Sequence, residues 1–185
     1  ALKPERSKNM ELGLNSNNDW GNVEFKFYKS KLTDAFKYNG DNWPLDYYEN
    51  DGVVNISGAE LSLETDYLGW DVNTSLNFNK AIAESTKLQK GRRPNRSFSL
   101  NLSKSSGKWK RNINWTAHSW AWDKDNHSNG KIGGYGLLNL STSYDFTENL
   151  RVNLNINNAL DKNYEMAKGY NTLGKTTTVG LTYSF

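Results

Sequence analysis

The stretch that decides the fold is residues 149–157, which read NLRVNLNIN. A large aliphatic side chain occupies every second position from Leu150 to Ile156, and Asn or Arg occupies the positions between. Successive side chains of a β-strand point to opposite faces, whereas an amphipathic helix repeats its apolar residues every three or four positions. The stretch therefore predicts a β-strand with one apolar and one polar face.

The same alternation recurs along the chain and predicts an all-β protein. Groups of apolar residues spaced by two occur at residues 10–14, 23–27, 59–63, 70–78, 98–102, 113–117, 138–146, 150–156 and 179–185. The group at 113–117 is the weakest. We expect about nine strands of roughly nine to twelve residues and almost no helix.

The connections between these segments alternate in length. Short polar turns are predicted at residues 15–21, 66–69, 103–108 and 145–149, and long connections at 32–57, 80–96, 122–133 and 161–175. In an up-and-down antiparallel sheet, the tight turns then gather at one end and the long loops at the other. Transmembrane β-barrels have this asymmetry, with short periplasmic turns and long extracellular loops.

The two faces also favour a membrane barrel. The polar faces hold mostly Asn, Ser, Thr, Asp and Gly, as expected of the wall of a hydrated lumen. Aromatic residues lie near both ends of the apolar band, as interfacial girdles do: Trp70, Trp109, Tyr144, Phe146 and Phe185 near the tight turns, and Trp115 and Trp120 toward the long loops. From the pattern alone, a soluble β-sandwich or lipocalin-like barrel with core aromatics remains the alternative.

The composition of the 185 residues excludes several other classes. The absence of cysteine excludes a disulfide framework and a thiolate metal site. The mean hydropathy is −0.83, and no apolar run approaches the ~18 residues of a spanning helix. A dispersed net charge of +3 does not favour a nucleic-acid partner, and no arrangement resembles a catalytic triad, so we predict no enzyme. The start, ALKPE, has no Met and no signal-peptide features, so we expect the chain to begin within a larger protein.

The final residues 178–185, TVGLTYSF, resemble the terminal signature of bacterial outer-membrane barrels. The resemblance implies that this segment is the last strand and is recognised by the barrel-assembly machinery, with Thr178, Gly180, Tyr183 and Phe185 as the assembly signal. The physical basis is β-augmentation, in which an unpaired strand offers backbone hydrogen bonds and its alternate side chains give specificity.

Two further stretches resemble the barrels of TonB-dependent receptors: residues 2–13, LKPERSKNMELG, and residues 157–165, NNALDKNYE. Segments within this frame are most similar to the vitamin B12 (cobalamin) branch: residues 56–60, 91–94, 133–135 and 169–175. Siderophore and haem receptors share several of them. The resemblance implies a bacterial outer-membrane protein, and cobalamin as a transported ligand rather than a cofactor.

Full receptors of this family have barrels of about 22 strands around an N-terminal plug. The resemblance therefore implies that residues 1–185 are the C-terminal part of the barrel, about nine strands, without the plug domain or the calcium-binding acidic loops. TonB would then be engaged only through the missing N-terminal part.

The resemblance also implies two ligand-binding residues, Tyr170 and Arg92. An aromatic plane can pack on a corrin face, and a guanidinium can donate to amide or phosphate oxygens. The alternatives are that Tyr170 packs within its loop and that Arg92, Arg93 and Arg96 contact lipopolysaccharide phosphates. The loop 122–127, WDKDNH, supplies too few oxygens for calcium, so we predict a solvated loop and no metal site.

The sequence thus predicts a TonB-dependent outer-membrane transporter of cobalamin, of which this chain supplies barrel wall and extracellular loops. Its expected partners are outer-membrane lipid, lipopolysaccharide and, during biogenesis, the barrel-assembly machinery. The alternatives are a truncated barrel that serves as a folding substrate of that machinery, or a siderophore or haem receptor fragment. A small self-closing barrel is disfavoured, because single-chain bacterial barrels have even strand numbers.

Overall fold

The computed structural model describes residues 2–39, 47–50 and 52–185, and within these ranges every regular element is a β-strand. The strands are β1 (Arg6–Asn18), β2 (Gly21–Thr33), β3 (Phe36–Asn39), β4 (Tyr47–Asn50), β5 (Val53–Tyr67), β6 (Trp70–Ala83), β7 (Arg96–Ser106), β8 (Trp109–His118), β9 (Ala121–Trp122), β10 (Lys131–Ile132), β11 (Tyr135–Asp145), β12 (Leu150–Asn157) and β13 (Thr176–Tyr183). The prediction of an all-β chain is confirmed. No helix of the described part is long and apolar enough to cross a membrane.

Nine strands form one antiparallel up-and-down sheet in the order β1-β2-β5-β6-β7-β8-β11-β12-β13. Two short hairpins, β3–β4 and β9–β10, lie within the long connections. Within the described ranges the sheet stays open, since β1 and β13 each pair on one side only. The predicted number of main strands and their antiparallel order are therefore correct.

The alternation of connection lengths is also confirmed. Three tight turns contain two residues each, at 19–20, 68–69 and 107–108, and the fourth spans 146–149. Residues 84–95, 119–134 and 158–175 form long connections at the opposite end, together with the segment that joins β2 to β5. Several strands extend further than the sequence indicated, because pairing continues into residues without alternation; β5, for example, begins at Val53.

The register separates the two faces of the sheet. Leu61 on β5 pairs with Leu76 on β6, which pairs with Phe98 on β7, so these apolar residues share one face. The neighbouring residues in each strand are polar and lie on the other face, where their side chains form hydrogen bonds between strands. The Ser75 and Ser99 hydroxyls are 2.7 Å apart, and Asn112 Nδ2 donates to Asn101 Oδ1 at 2.8 Å. We call these the membrane face and the lumen face.

The membrane face lacks a protein partner in the described part of the chain. No large side chain is fully buried there, and Leu181 remains 73% exposed. An apolar surface of this extent is unfavourable in water and is solvated by lipid. The apolar side chains therefore form a lipid-facing band rather than a core.

An aromatic row borders this band at the tight-turn end. Trp70 pairs with Tyr67, and Trp109 pairs with Tyr144, with ring centroids of the latter pair 4.7 Å apart. Cations lie over two of these rings, as Lys104 Nζ is 5.8 Å from the Trp70 centroid and Arg111 Cζ is 5.4 Å from that of Trp109. Amphipathic rings and long cationic side chains both favour the boundary between lipid and water.

The lumen face becomes apolar near the long-loop end. Ala35, Val54 and Ala81 are buried together, with Leu32 and Ile56 packed against them. Strict alternation predicts a uniformly polar lumen face, so this cluster was not predicted. It anchors the start of the connection that leaves β2.

Gly58 on β5 allows a close approach on the lumen face. A Cβ atom at this position would overlap the Phe78 carbonyl oxygen and the Tyr28 ring. The Tyr28 ring thus packs on the backbone of Gly58. This contact fixes the register of β2 against β5.

Candidate functional site

The long connections meet at a buried carboxylate, Asp123, which is 4% exposed. Its Oδ1 atom accepts hydrogen bonds from Arg92 Nε at 3.0 Å and from the Lys168 backbone N–H at 3.1 Å. Its Oδ2 atom accepts from Asn129 Nδ2 at 2.5 Å. The three connections 84–95, 119–134 and 158–175 are thereby joined at one side chain. We call this arrangement the Asp123 clamp.

A second carboxylate reinforces the clamp. Asp125 Oδ1 accepts from the Gly91 N–H at 2.7 Å, and its other oxygen forms an ion pair with Lys90. Next to it, a ring nitrogen of His127 lies 2.8 Å from the Gln89 carbonyl oxygen, and the imidazole stacks on Trp122 with centroids 4.1 Å apart. The prediction of a solvated loop at 122–127 is wrong for Asp123, which is buried. Asp125 and His127 are partly exposed and also hold the neighbouring connection 84–95.

Both carboxylates of the clamp are ionised at neutral pH. Burial alone would raise the pKa of Asp123, but the hydrogen bonds from Asn129, the Lys168 N–H and Arg92 outweigh it and lower the pKa below its ordinary value. Burial would likewise raise the pKa of Asp125, and the bonds from Lys90 and the Gly91 N–H lower it. The clamp is thus made of charge-assisted hydrogen bonds, which are stronger than neutral ones.

Asn158 fixes the start of the last long connection. It is buried, with a left-handed φ of 50°, and its N–H donates to Asn139 Oδ1 at 2.9 Å. Its side chain brackets the turn, because Oδ1 accepts from the Lys162 N–H at 2.8 Å while Nδ2 donates to the Lys162 carbonyl at 2.9 Å. The segment NNALDKNYE therefore forms a fixed turn between β12 and the loop.

The two predicted ligand residues lie in connections that the clamp joins. The Tyr170 side chain is 72% exposed, and its backbone N–H donates to the Ala167 carbonyl at 3.1 Å. The Arg92 side chain is 53% exposed, although its Nε atom is bound to Asp123. Lys168 of the Tyr170 loop and Arg92 donate to the same Asp123 oxygen, which brings the two connections together. Within the described ranges, no hydrogen bond or ring contact joins the Tyr170 and Arg92 side chains.

A cation–aromatic cluster at the same end was missed by the sequence reasoning. Lys131 Nζ lies 3.9 Å from the ring centroid of Trp120 and 5.0 Å from that of Trp122. Tyr135 and Tyr164 pack nearby with ring centroids 4.6 Å apart. The available signal is the pair of tryptophans spaced by two at residues 120 and 122, but the pattern places Trp120 at the membrane boundary and Trp122 in a solvated loop.

Three residues of the predicted assembly signal lie on the edge strand β13, and the fourth, Phe185, follows its end. Thr178 pairs with Asn155, Gly180 with Asn153 and Tyr183 with Leu150, all on β12. The opposite side of β13 is unpaired in the described sheet, and the Tyr183 and Phe185 rings lie together on the membrane face with centroids 5.2 Å apart. The strand thus offers free backbone groups and alternate aromatic side chains.

No group of three or more His, Asp or Glu side chains that could hold a metal ion occurs among the described residues. What the long-loop end offers instead is an exposed tyrosine, a partly engaged arginine and a tryptophan–lysine cluster on connections held by two carboxylates. Such a surface suits the capture of a ligand by loops carried on a rigid sheet.

A sheet with a lipid-facing apolar face, a hydrated polar face and long loops at one end is the wall of an outer-membrane β-barrel. A family model described as TonB dependent receptor-like, beta-barrel, matches residues 1–159. The chain belongs to this family, whose members are receptors of the bacterial outer membrane.

Solved structures of such receptors have the same fold. The copper transporter OprC superposes with a TM-score of 0.77 at 20% identity over 100% of this chain and 32% of its own. The ferric enterobactin receptor PfeA from Pseudomonas aeruginosa gives 0.79 at 19% identity, again over 100% and 32%. The FrpB iron transporter from Neisseria meningitidis gives 0.74 at 18% identity over 100% and 31%. The chain thus spans about a third of the length of these proteins.

Proposed function

We propose that this chain forms barrel wall and extracellular loops of a TonB-dependent receptor that imports cobalamin, and that residues 1–185 are the C-terminal part of that barrel. The observation that carries the proposal is the Asp123 clamp, which gathers three long connections at one end of the sheet. Long loops of outer-membrane barrels face the outside of the cell. Cargo would be captured there and released inward by plug and TonB, which act through parts of the receptor outside this chain.

Tyr170 and Arg92 have distinct roles in this proposal. The exposed Tyr170 ring offers a flat face for the corrin macrocycle. Asp123 occupies Nε of Arg92, and the remaining donors of the guanidinium suit the amide or phosphate oxygens of cobalamin. The cobalamin assignment rests on the similarity of residues 56–60, 91–94, 133–135 and 169–175 to that branch of the family.

The second candidate is uptake of an anionic metal chelate such as a ferric siderophore. Exposed cations in the clamped connections favour it, because Arg93 and Lys124 lie beside Arg92 and Asp123. OprC and PfeA are named for copper and ferric enterobactin, respectively. The two candidates differ in chemistry, since cobalamin requires an aromatic platform and a ferric catecholate requires positive charge.

Titration of the full receptor with cyanocobalamin and with a ferric catecholate distinguishes them. We expect cobalamin to bind, Tyr170→Ala to weaken binding about fivefold, and Tyr170→Phe to retain it, because stacking on an aromatic face contributes about 1 kcal/mol. Tyr67→Ala is the matched control, an exposed tyrosine at the opposite end of the sheet. Binding of the catecholate without cobalamin binding would establish the second candidate instead.

A further inference from the structure

A groove of about 940 Å³ crosses the membrane face near the long-loop end. Its floor is formed by small residues of β5, Ser57 and Ala59. The register places Ala59 between Phe27 on β2 and Phe78 on β6, and both phenylalanines are about half exposed. The backbones of β2 and β6 are about 9.6 Å apart, and the small Ala59 side chain leaves a channel between the two rings.

Three cations form the rim of the groove toward the long loops. Lys29 and Lys80 pair with Ser57, one row nearer the long loops than Phe27, Ala59 and Phe78. Arg96 pairs with Phe78 on its other side. All three side chains are exposed, and none forms an ion pair with an acid in the described part of the chain. Glu84, which directly follows β6, forms its ion pair with Lys31. The rim is therefore a cluster of positive charge without a counter-charge.

The depth of this rim in the membrane follows from the strand geometry. Trp70 marks the boundary at the tight-turn end, and Lys80 is ten residues further along β6. At about 3.3 Å per residue and a tilt of about 40°, this separation is about 25 Å along the membrane normal, the height of the apolar band of such barrels. Lys80 thus lies at the headgroup level of the outer leaflet, with Lys29 in the same row of the register. Arg96 lies one row lower, beside Phe78 at the edge of the apolar groove.

We propose that this groove is a binding site for a phosphate-bearing, acylated glycolipid of the outer leaflet, that is, lipopolysaccharide. Its acyl chains lie over Ala59 between Phe27 and Phe78, and its phosphates bind Lys29, Lys80 and Arg96. A second copy of this chain would bring the same cations against themselves, which disfavours a homodimer through this face. A zwitterionic phospholipid brings no net charge to match the rim.

The site is tested on the full receptor in a neutral detergent by native mass spectrometry. The probes are lipid A with two phosphates, the same lipid without phosphate, and inorganic phosphate. We expect tight binding of the phosphorylated lipid, weak binding of the dephosphorylated lipid and none of phosphate alone. Equal binding of both lipids, or binding of inorganic phosphate at the affinity of the phosphorylated lipid, would overturn the proposal.

A matched pair of double variants locates the site. Lys80→Gln with Arg96→Gln removes one lysine and one arginine from the rim, and we expect lipid affinity to fall about tenfold or more. Lys104→Gln with Arg111→Gln removes the same two residue types from the same face at the opposite end, and we expect little change. An equal loss in both would indicate a general surface charge effect and contradict a built site.

A steric variant tests the groove without altering its charge. Ala59→Phe fills the channel between Phe27 and Phe78 with a side chain that suits a lipid-facing position, and we expect it to weaken lipid binding about tenfold. Retained affinity would overturn the proposed path of the acyl chains. Binding of the transported cargo should be unchanged in all three variants, so this test is independent of whether the receptor carries cobalamin or a metal chelate.

Discussion

Asp123 shows how a single side chain organises the long-loop end of the sheet, where we propose that the ligand binds. Besides Asn129 of its own connection, it accepts from two connections that are distant in sequence, through Arg92 and through Lys168, 45 residues away. Because the carboxylate is buried, each donor it loses would leave an unsatisfied charge. Tyr170 lies two residues beyond Lys168, so the position of this tyrosine depends on the clamp.

Asp123→Asn should loosen the clamp while leaving the sheet intact. The amide keeps one acceptor but turns an NH₂ group toward donors, at a cost of about 1–3 kcal/mol. The Lys168 amide hydrogen, which bonds Asp123 directly, should then exchange roughly 5 to 150 times faster in hydrogen-exchange measurements. Lys124→Gln, which removes an exposed charge next to it, should leave that rate unchanged.

Acid should have the same effect as the substitution. The pKa of Asp123 is lower in the folded protein than in the unfolded chain, so its stabilising contribution is complete above about pH 4 and is lost as pH falls through the folded pKa. Protection of the Lys168 amide, corrected for intrinsic exchange, should be constant from neutral pH to about pH 5 and fall in stronger acid. A loss between pH 5 and pH 7 would contradict this assignment.

At the scale of elements, a strand could be predicted where apolar and polar residues alternate along it. β12 alternates Leu150, Val152, Leu154 and Ile156 with polar residues, and this pattern alone predicted it. The upper part of β5 does not alternate, since Val53 and Val54 are both apolar. Val54 turns into the cluster around Ala81 and Ala35. That contact depends on the strand pairing and the connection above it, so no local pattern could predict it.

The loops were predictable in position but not in structure, for a related reason. Their lengths follow from where alternation stops, whereas their conformation depends on contacts between different connections. Asp123, Asp125 and His127 looked like an incomplete metal site because their spacing suggested ligands. Their true partners, among them Lys168 and Gly91, are distant in sequence.

The edge strand β13 leads to a prediction about assembly. We expect Tyr183→Ala with Phe185→Ala to weaken capture of the nascent barrel by the assembly machinery about tenfold, because alternate side chains give β-augmentation its specificity. Cross-linking of the stalled chain to the machinery is the measurement.

The matched control for this experiment is Tyr144→Ala with Phe146→Ala. These residues present the same Tyr-x-Phe pattern on the membrane face at the same end, but β11 is paired on both sides. We expect capture to be retained in the control. Equal capture of both double variants would remove any role for the β13 aromatics as an assembly signal.

At the scale of the whole molecule, the two faces of the sheet are in different solvents. Leu100 on β7 pairs with Thr74 and Trp115 near the middle of the apolar band, and the next residue, Asn101, lies on the lumen face. Sequence alternation predicted this division, and the register confirms it. The groove over Ala59 could not be predicted in the same way, because it depends on which residues of three strands lie side by side.

Replacing each of these adjacent residues by lysine should destabilise the protein by very different amounts. Leu100→Lys places a charge near the bilayer midplane and should lower the free energy of unfolding by about 2–4 kcal/mol, whereas Asn101→Lys on the hydrated face should cost about 1 kcal/mol or less. Equilibrium unfolding of the receptor from lipid vesicles measures both. Similar costs at the two positions would show that Leu100 does not face lipid.

The unequal connection lengths have a consequence for how such receptors diversify. Each hairpin closed by a tight turn, such as β5–β6 or β7–β8, carries its own register. The long connections join one such hairpin to the next and do not set the register within it, and doubling the length of a flexible loop costs only about 0.6 kcal/mol. Receptors that share this barrel sheet can therefore exchange, lengthen or replace their outer loops to suit a new cargo while the hairpins beneath the loops are retained.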